Sequence, residues 1–216
     1  GVELREAGIT MPIMVLNPKV LNYPQLFANR LEPEVFDFNI LEEIIEAARR
    51  AGVKDYPVHL KLDTGMHRLG FSEDEIDRVI EIVKGQDSIR ICSVFSHLAT
   101  ADCLDMDLYT RAQLELFDRC SNRVLSAFPY RIMRHVLNTA GILRFPEYQY
   151  DMVRLGIGLY GIPVLNNGLE DGLRPVSTLR SVIIALKRFP AGTAIGYGRR
   201  GLILHDDTLI ATVPVG

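Results

Sequence analysis

Cysteine is scarce: Cys92, Cys103 and Cys120 are the only three. Their number is odd and no two are spaced C-x-x-C. Neither a disulfide framework nor a thiolate zinc site is therefore supported, and a reducing cytoplasm suits the chain best. Blocks of one charge are missing too. Lys+Arg 24 against Asp+Glu 27 leave a formal net charge of -3, with no run that would form a nucleic-acid or anionic-membrane footprint. No apolar stretch reaches the roughly 20 residues that cross a bilayer, and Gly1 to Arg5 lacks the layout of a signal peptide. Repeats and low-complexity segments are absent. What is present is 216 residues, 48% of them hydrophobic, enough for one large core or for one domain plus part of another. The expected partner is a small molecule, not a nucleic acid or a membrane.

Short apolar runs alternate with helical periodicity. Residues 12–16, closed by Asn17-Pro18, and residues 34–38 read as strands. Asn39 with Glu42 forms a capping-box start for a helix carrying Leu41, Ile44, Ile45 and Ala48 on one face, and Gly52 supplies its stop. Residues 58–63 make the next strand. Ser72 with Glu75 repeats the capping signal before Ile76, Val79, Ile80 and Val83, and Gly85 ends that helix. Strand over 89–98, helix over 107–128, strand over 132–138, a short helical turn and strand over 150–157 complete the series. About six strands alternating with helices predict an α/β fold with a parallel sheet. From Leu173 the pattern changes. Residues 178–189 form a long β-rich stretch joined through Pro190-Ala191-Gly192 to another, with no helical periodicity. The expected domains are 1–165 and an all-β region over 173–216, with a boundary in 163–175 where Asn166-Asn167-Gly168 and Asp171-Gly172 supply loop chemistry.

Polar groups gather at the strand ends. A period of two puts Val58, Leu60 and Leu62 on one face and His59, Lys61 and Asp63 on the other. A strand covered by helices is apolar on the helix side, so its polar side faces a barrel interior or a cleft. Ser96-His97, His135, Asn138-Thr139 and Arg154-Leu155-Gly156 close further strands in the same way. Catalytic groups of (β/α)8 barrels collect at that rim.

The stretch His59-Leu-Lys61-Leu-Asp63-Thr-Gly65-Met-His67-Arg68-Leu-Gly70-Phe71 resembles the barrel motif of alanine racemases, which depend on pyridoxal phosphate. Ser96-His97-Leu-Ala-Thr-Ala-Asp102, His135-Val-Leu-Asn138-Thr139-Ala-Gly141, Asp151-Met-Val-Arg154-Leu-Gly156-Ile157-Gly-Leu-Tyr160-Gly161 and Ala194-Ile-Gly196-Tyr197-Gly198 follow in that family's order. The resemblance implies a partial TIM-like (β/α)8 barrel, about six of its βα units, followed by the start of an all-β domain. It further implies interconversion of L- and D-alanine for peptidoglycan, in a homodimer that shares its active sites. The family's cofactor-bearing lysine would lie upstream of Gly1 and more of its β-domain downstream of Gly216. An internal piece of this kind is expected to be inactive alone and to bind the cofactor poorly.

Roles carried over by the resemblance are these. Tyr197 would be one of two acid/base groups, reaching into the partner subunit's site; a free phenol titrates near 10, so it would need positive charge beside it. Arg154 would face the pyridine nitrogen and, as a donor only, keep it unprotonated. His97 and His135 would support Arg154 and stay neutral beside its charge. Asn138, Thr139, Gly156 and Ile157 would line the cofactor, with Thr139, Gly156 and Ile157 as the phosphate cradle. Lys61 would be carbamylated and orient Arg68 near the phenolic oxygen; the plain alternative pairs Lys61 with Asp63 or the phosphate.

Competing readings exist. Gly156-Ile-Gly158-Leu-Tyr-Gly161 fits a dinucleotide fingerprint, but Ile162-Pro163 follows it instead of a helix. Asp63, His97, His135 and Asp151 would be the ligands of a barrel metallohydrolase, yet no H-x-H or H-E-x-x-H pair supports that. Non-catalytic barrel proteins that bind pyridoxal phosphate are a third class. His205-Asp206-Asp207 reads as a hairpin turn, and no metal is expected.

Overall fold

Five short strands, each parallel to the next, are laid down in the order in which the chain makes them. The computed structural model describes residues 1–16, 22–165, 168, 170 and 172–215. The turn expected at Asn17-Pro18 and the loop residues Asn166, Asn167 and Asp171 lie outside the described residues. Two units are distinguished, Gly1–Arg174 and Pro175–Gly216.

In the first unit β1 (Ile13–Val15), β2 (Leu31–Val35), β3 (Tyr56–Lys61), β4 (Ile89–Phe95) and β5 (Met133–His135) form one sheet in the order β1-β2-β3-β4-β5. The helices are α1 (Val2–Glu6), α2 (Tyr23–Ala28), α3 (Phe38–Arg50), α4 (Ile76–Lys84), α5 (Asp107–Ala127) and α6 (Thr139–Arg144). Parallel neighbours need a crossover, and α2, α3, α4 and α5 supply one between each pair. The expected α/β partial barrel is thus present.

The helices form where their apolar stripes meet the sheet. Leu41, Ile44, Ile45 and Ala48 of α3 are buried, as are Ile76, Val79 and Val83 of α4 and Leu114, Phe117, Cys120 and Val124 of α5. These pack on Val58, Leu60, Ile91 and Val94, the helix side of β3 and β4, in one continuous core. Each fully buried aliphatic side chain stabilises the unit by about 1.5–3 kcal/mol.

Several boundaries differ from the sequence expectation. Asp37, not Asn39, caps α3: its side chain accepts from the Ile40 N–H at 2.8 Å while its backbone is still extended. Asn39 already lies inside the first turn. The Ser72/Glu75 capping box is present, but it opens a 3-10 turn, Glu73–Glu75, that leads into α4. Strand β2 begins three residues before the expected start and includes Pro33. Pro33 is in register with Val15 of β1, while pairing with β3 starts only at Glu34↔His59, past the residue that lacks an N–H. Residues 150–157 do not form a sixth strand. They run beside β5 through isolated bonds, Asp151 N–H to Arg134 O and Arg154 N–H to Leu137 O, and then enter a 3-10 turn at Ile157–Tyr160.

In the second unit β6 (Ala185–Phe189) pairs with β9 (Thr208–Thr212), and β7 (Ala194–Ile195) with β8 (Gly201–Leu202), both antiparallel. The expected long strand over 178–189 is reduced to β6. Val176, Leu179, Val182, Ile183 and Ile184 precede it exposed, and of these Ile184 donates its N–H to Thr212 O at the end of the β6–β9 ladder. His205-Asp206-Asp207 makes the turn before β9, where Asp206 Oδ1 accepts from the Ala191 N–H at 2.8 Å.

Candidate functional site

The inward face of the sheet is polar and almost completely buried. The strand period that sends Val58 and Leu60 to the helices sends His59 and Lys61 inward, and register sets Ser93 beside His59 and Phe95 beside Lys61, with His135 beside Phe95. Glu32 and Glu34 of β2 join them. Relative exposure is 1% at Glu34, 3% at His59, 7% at Lys61 and 0% at Ser93 and His135. Polar groups this dry require partners.

The partners form a directional chain. Arg154 Nη1 donates to His135 Nδ1 at 2.6 Å. Since guanidinium only donates, that nitrogen is the acceptor and His135 carries its proton on Nε2. His135 Nε2 lies 3.0 Å from Ser93 Oγ, Ser93 Oγ lies 2.7 Å from His59 Nδ1, and His59 Nε2 lies 2.9 Å from Glu32 Oε2. Each proton then runs the same way, ending on the carboxylate. Burial, and then the charge of Arg154, push the His135 imidazole down to about 3. The same two causes in the same order, followed by Arg68 and Lys61, push His97 down to about 4. Both histidines are neutral near pH 7. Burial lowers Arg154 to about 10, which leaves it charged.

Arg154 is held from the other side as well. Its Nη2 donates to Ser96 O at 2.5 Å and Val136 O at 3.3 Å, and lies 3.4 Å from His97 Nδ1. The guanidinium carbon stands 5.2 Å from the centroid of the Phe95 ring, which stacks on His135 at 4.9 Å. Ser96 Oγ donates to Leu62 O and meets Thr64 Oγ1, both at 2.8 Å, tying the end of β4 to the end of β3.

Lys61 pairs with neither Asp63 nor any group of its own strand. Its Nζ lies 2.9 Å from Glu34 Oε1 on β2 and 5.5 Å from the Phe95 centroid. Asp63 is engaged elsewhere: its Oδ1 accepts from the N–H groups of Gly65 and His67, each at 3.0 Å. Burial opposes its ionisation, but those N–H groups and the His67 ring hold the carboxyl below the usual range. The loop so pinned closes where Asp63 N–H donates to Phe71 O and Phe71 N–H to Lys61 O. Gly70 is required at that closure, since a Cβ there, at φ +127°, would stand 2.5 Å from the Asp63 nitrogen.

A cavity of about 930 Å³ opens at this end of the sheet. Lys61, Arg68, His97, Asn138, Thr139, Arg154, Gly156 and Ile157 line it, together with Glu34 and Asp102. Three basic side chains, Lys61, Arg68 and Arg154, face the carboxyl groups of Glu34 and Asp102, a balance that suits an anionic ligand. Thr139 has its hydroxyl oxygen occupied by the N–H groups of Gly156 and Gly158 at 3.1 and 3.2 Å. With both lone pairs used, the hydroxyl can only donate, as a phosphate oxygen requires. Gly158 is close-packed here, because a Cβ would stand 2.7 Å from Thr139 Cγ2. Asn138 caps α6, accepting from the Gly141 N–H at 3.0 Å. His135 lies behind Arg154 and does not line the cavity. Tyr197, in the second unit, is fully exposed on the 3-10 turn Tyr197–Arg199.

The residues of the competing readings are otherwise committed. Asp151 pairs with Arg131 at 2.8 Å and caps the Arg134 N–H. Among the described residues no three His, Cys, Asp or Glu side chains are grouped to hold a metal ion, and no helix is long and apolar enough to cross a membrane. The glycine-rich run 156–161 opens no α-helix and ends with Gly161 in the left-handed region. Sequence reasoning passed over Glu32, Glu34 and Ser93. Their signal was available in the period of two: Glu32 and Glu34 share one face of β2, as His59 and Lys61 share one face of β3.

Residues 1–163 match the family described as alanine racemase, N-terminal domain. Alanine racemase from Sorangium cellulosum is 35% identical over 220 residues, covering all of this chain and 57% of that protein. The solved alanine racemase from a D-cycloserine-producing Streptomyces lavendulae superposes with a TM-score of 0.79 at 27% identity, covering all of this chain and 57% of that one. The alanine racemase from Bacillus anthracis with bound L-Ala-P gives 0.75 at 28% identity, with 100% and 56% covered. The chain therefore spans a little over half the length of the relatives it matches, and by the match over residues 1–163 it belongs to the alanine racemase family.

Proposed function

We propose that the protein carrying this chain interconverts L- and D-alanine with pyridoxal phosphate, as a homodimer in the cytoplasm, and so supplies D-alanine for peptidoglycan. The observation that carries this reading is Arg154, fixed by neutral His135 and by the Ser96 carbonyl, at the wall of a cation-rich cavity. The residues present fit the cofactor: Thr139 offers a hydroxyl that can only donate, beside Gly156 and the close-packed Gly158.

When bound, pyridoxal phosphate supplies a conjugated ring that takes up the electron pair left on the substrate's α-carbon. Arg154, having no acceptor, would hold the ring nitrogen unprotonated and moderate that uptake, favouring return of the proton over other outcomes. Thr139 and the 156–158 backbone would hold the phosphate, and Arg68 would lie toward the ring's phenolic oxygen. Tyr197 of the partner subunit would move the proton on one face of the α-carbon, since racemisation needs acid/base groups on both faces. His97 would bind in its neutral form against Arg154.

The test uses the full-length protein. It should develop cofactor absorbance with pyridoxal phosphate and racemise L-alanine, while Tyr197→Phe should keep the absorbance and lose racemisation by on the order of 10²-fold or more. Absence of cofactor absorbance would overturn the reading, and full activity in Tyr197→Phe would remove that residue from it.

A further inference from the structure

We propose that Ser93 is a positioning residue for Arg154: its hydroxyl joins two buried imidazoles, fixes both in one tautomer, and so holds His135 in place against the guanidinium that lines the cavity. Ser93 is fully buried, and among the described residues its Oγ has two partners, His135 Nε2 at 3.0 Å and His59 Nδ1 at 2.7 Å.

A break in the strand pattern puts the hydroxyl there. Ile91 of β4 is paired with Val58 on the helix side, and strict alternation would send Ser93 to that side as well. The register instead shifts between Val58 and His59, so that Cys92 is passed over and Ser93 stands beside His59. An irregularity of this kind re-aims a side chain and leaves the extra residue unpaired. Here it delivers one hydroxyl to a point that histidines on two different strands can share.

That hydroxyl has a single proton to give, which leaves one consistent arrangement. Arg154 Nη1 donates to His135 Nδ1, so the His135 proton is on Nε2 and points at Ser93 Oγ. Ser93 accepts it and donates its own proton to His59 Nδ1. The His59 proton is then on Nε2 and goes to Glu32 Oε2 at 2.9 Å. Any form of His59 with a proton on Nδ1 would aim two N–H groups at Ser93 and leave the hydroxyl proton without an acceptor in a dry site. For His135 the consequence is mechanical. Arg154 holds one ring nitrogen and Ser93 the other, so the ring cannot turn about its χ2 bond without breaking both contacts. Without Ser93 the ring is held at one nitrogen and by its stacking on Phe95, and the acceptor it presents to Arg154 is no longer fixed.

The effect on turnover rests on the proposed racemase reading; the tautomers do not. The test is nitrogen-15 NMR of the full-length protein labelled at histidine and arginine, with signals assigned from His59→Gln, His135→Gln and Arg154→Lys. In wild type both rings should be protonated at Nε2 only. Ser93→Ala, which removes only the hydroxyl, should give His59 a mixture of tautomers, broaden the Arg154 guanidinium signal, and lower kcat for racemisation by about 10-fold or more with KM little changed. Ser93→Thr, which keeps the hydroxyl, should restore all three. A wild-type His59 protonated on Nδ1 would overturn the proposal, as would a folded Ser93→Ala whose spectra match wild type. Undiminished turnover beside changed spectra would remove the positioning role, and a folded Ser93→Thr that behaves like the alanine variant would assign the effect to packing instead. Should Ser93→Ala not fold, the wild-type tautomers and Ser93→Thr decide. The spectra are read whether or not alanine is racemised, so failure of the proposal is distinct from failure of the functional reading.

Discussion

Arg154 concentrates five contacts on one guanidinium, and no other cation reproduces them. Lysine would keep the charge but not the fork that reaches His135 Nδ1 and Ser96 O together. Arg154→Lys should lower kcat/KM for the proposed racemisation by the full-length protein by about 10²-fold or more while leaving its circular dichroism unchanged; near-normal kinetics would show that charge alone suffices. The Glu34–Lys61 pair makes a different prediction. Removing either partner strands a buried charge and should cost about 3–5 kcal/mol in urea unfolding, whereas replacing both with apolar residues should cost much less. An additive double variant would mean that the two groups do not interact.

His135 sets a pH dependence whose sign is fixed by its depressed value. Unfolded imidazole titrates near 6.5, and the folded one at about 3. Between these limits the unfolded chain binds a proton that the folded chain does not, so stability is complete above about 6.5 and is lost as pH falls below it. The slope is about 1.4 kcal/mol per pH unit for this group. Urea midpoints should fall between pH 6.5 and 5, before most carboxylates titrate, and His135→Gln should flatten that fall. A wild-type profile level over the same window would contradict the buried neutral assignment.

At the level of elements, the loop that follows the irregular 150–157 segment depends on a close approach between two turns. Gly158→Ala would drive a methyl against Thr139 Cγ2, 2.7 Å away, and should destabilise the unit by about 1–3 kcal/mol. Adding Thr139→Ser removes that methyl group and keeps the hydroxyl, so it should restore most of the loss; no recovery would place the strain elsewhere. Much at this scale was legible. Capping at Ser72, the stripes of α3, α4 and α5, and the inward set His59 and Lys61 all follow from local periodicity. What misled was equally local: Pro33 hid the start of β2, and the apolar run over 150–157 looked like a strand although it finds only isolated partners.

For the molecule as a whole, the sheet ends at β1 and β5, and the second unit exposes Leu179, Val182, Ile183, Ile184 and Leu186, from 55% to 82% of their surface. Open strand edges and contiguous apolar surface promote association. The 216-residue chain by itself should bind a hydrophobic dye and sediment with a mass that grows with concentration, and Leu179→Glu with Ile183→Glu should reduce both. Monodisperse, dye-free behaviour would show that this surface is covered.

The order of residues alone determined the alternation of helix and strand, the family resemblance, and the polar set at the strand ends, because periodicity, capping and motif spacing are properties of neighbours along the chain. Only the tertiary structure decided that Lys61 meets Glu34 instead of Asp63, and that His135 stands behind Arg154 in a line running to Glu32. Those choices follow from the register between parallel strands and from burial, which together fix which charges share a dry space.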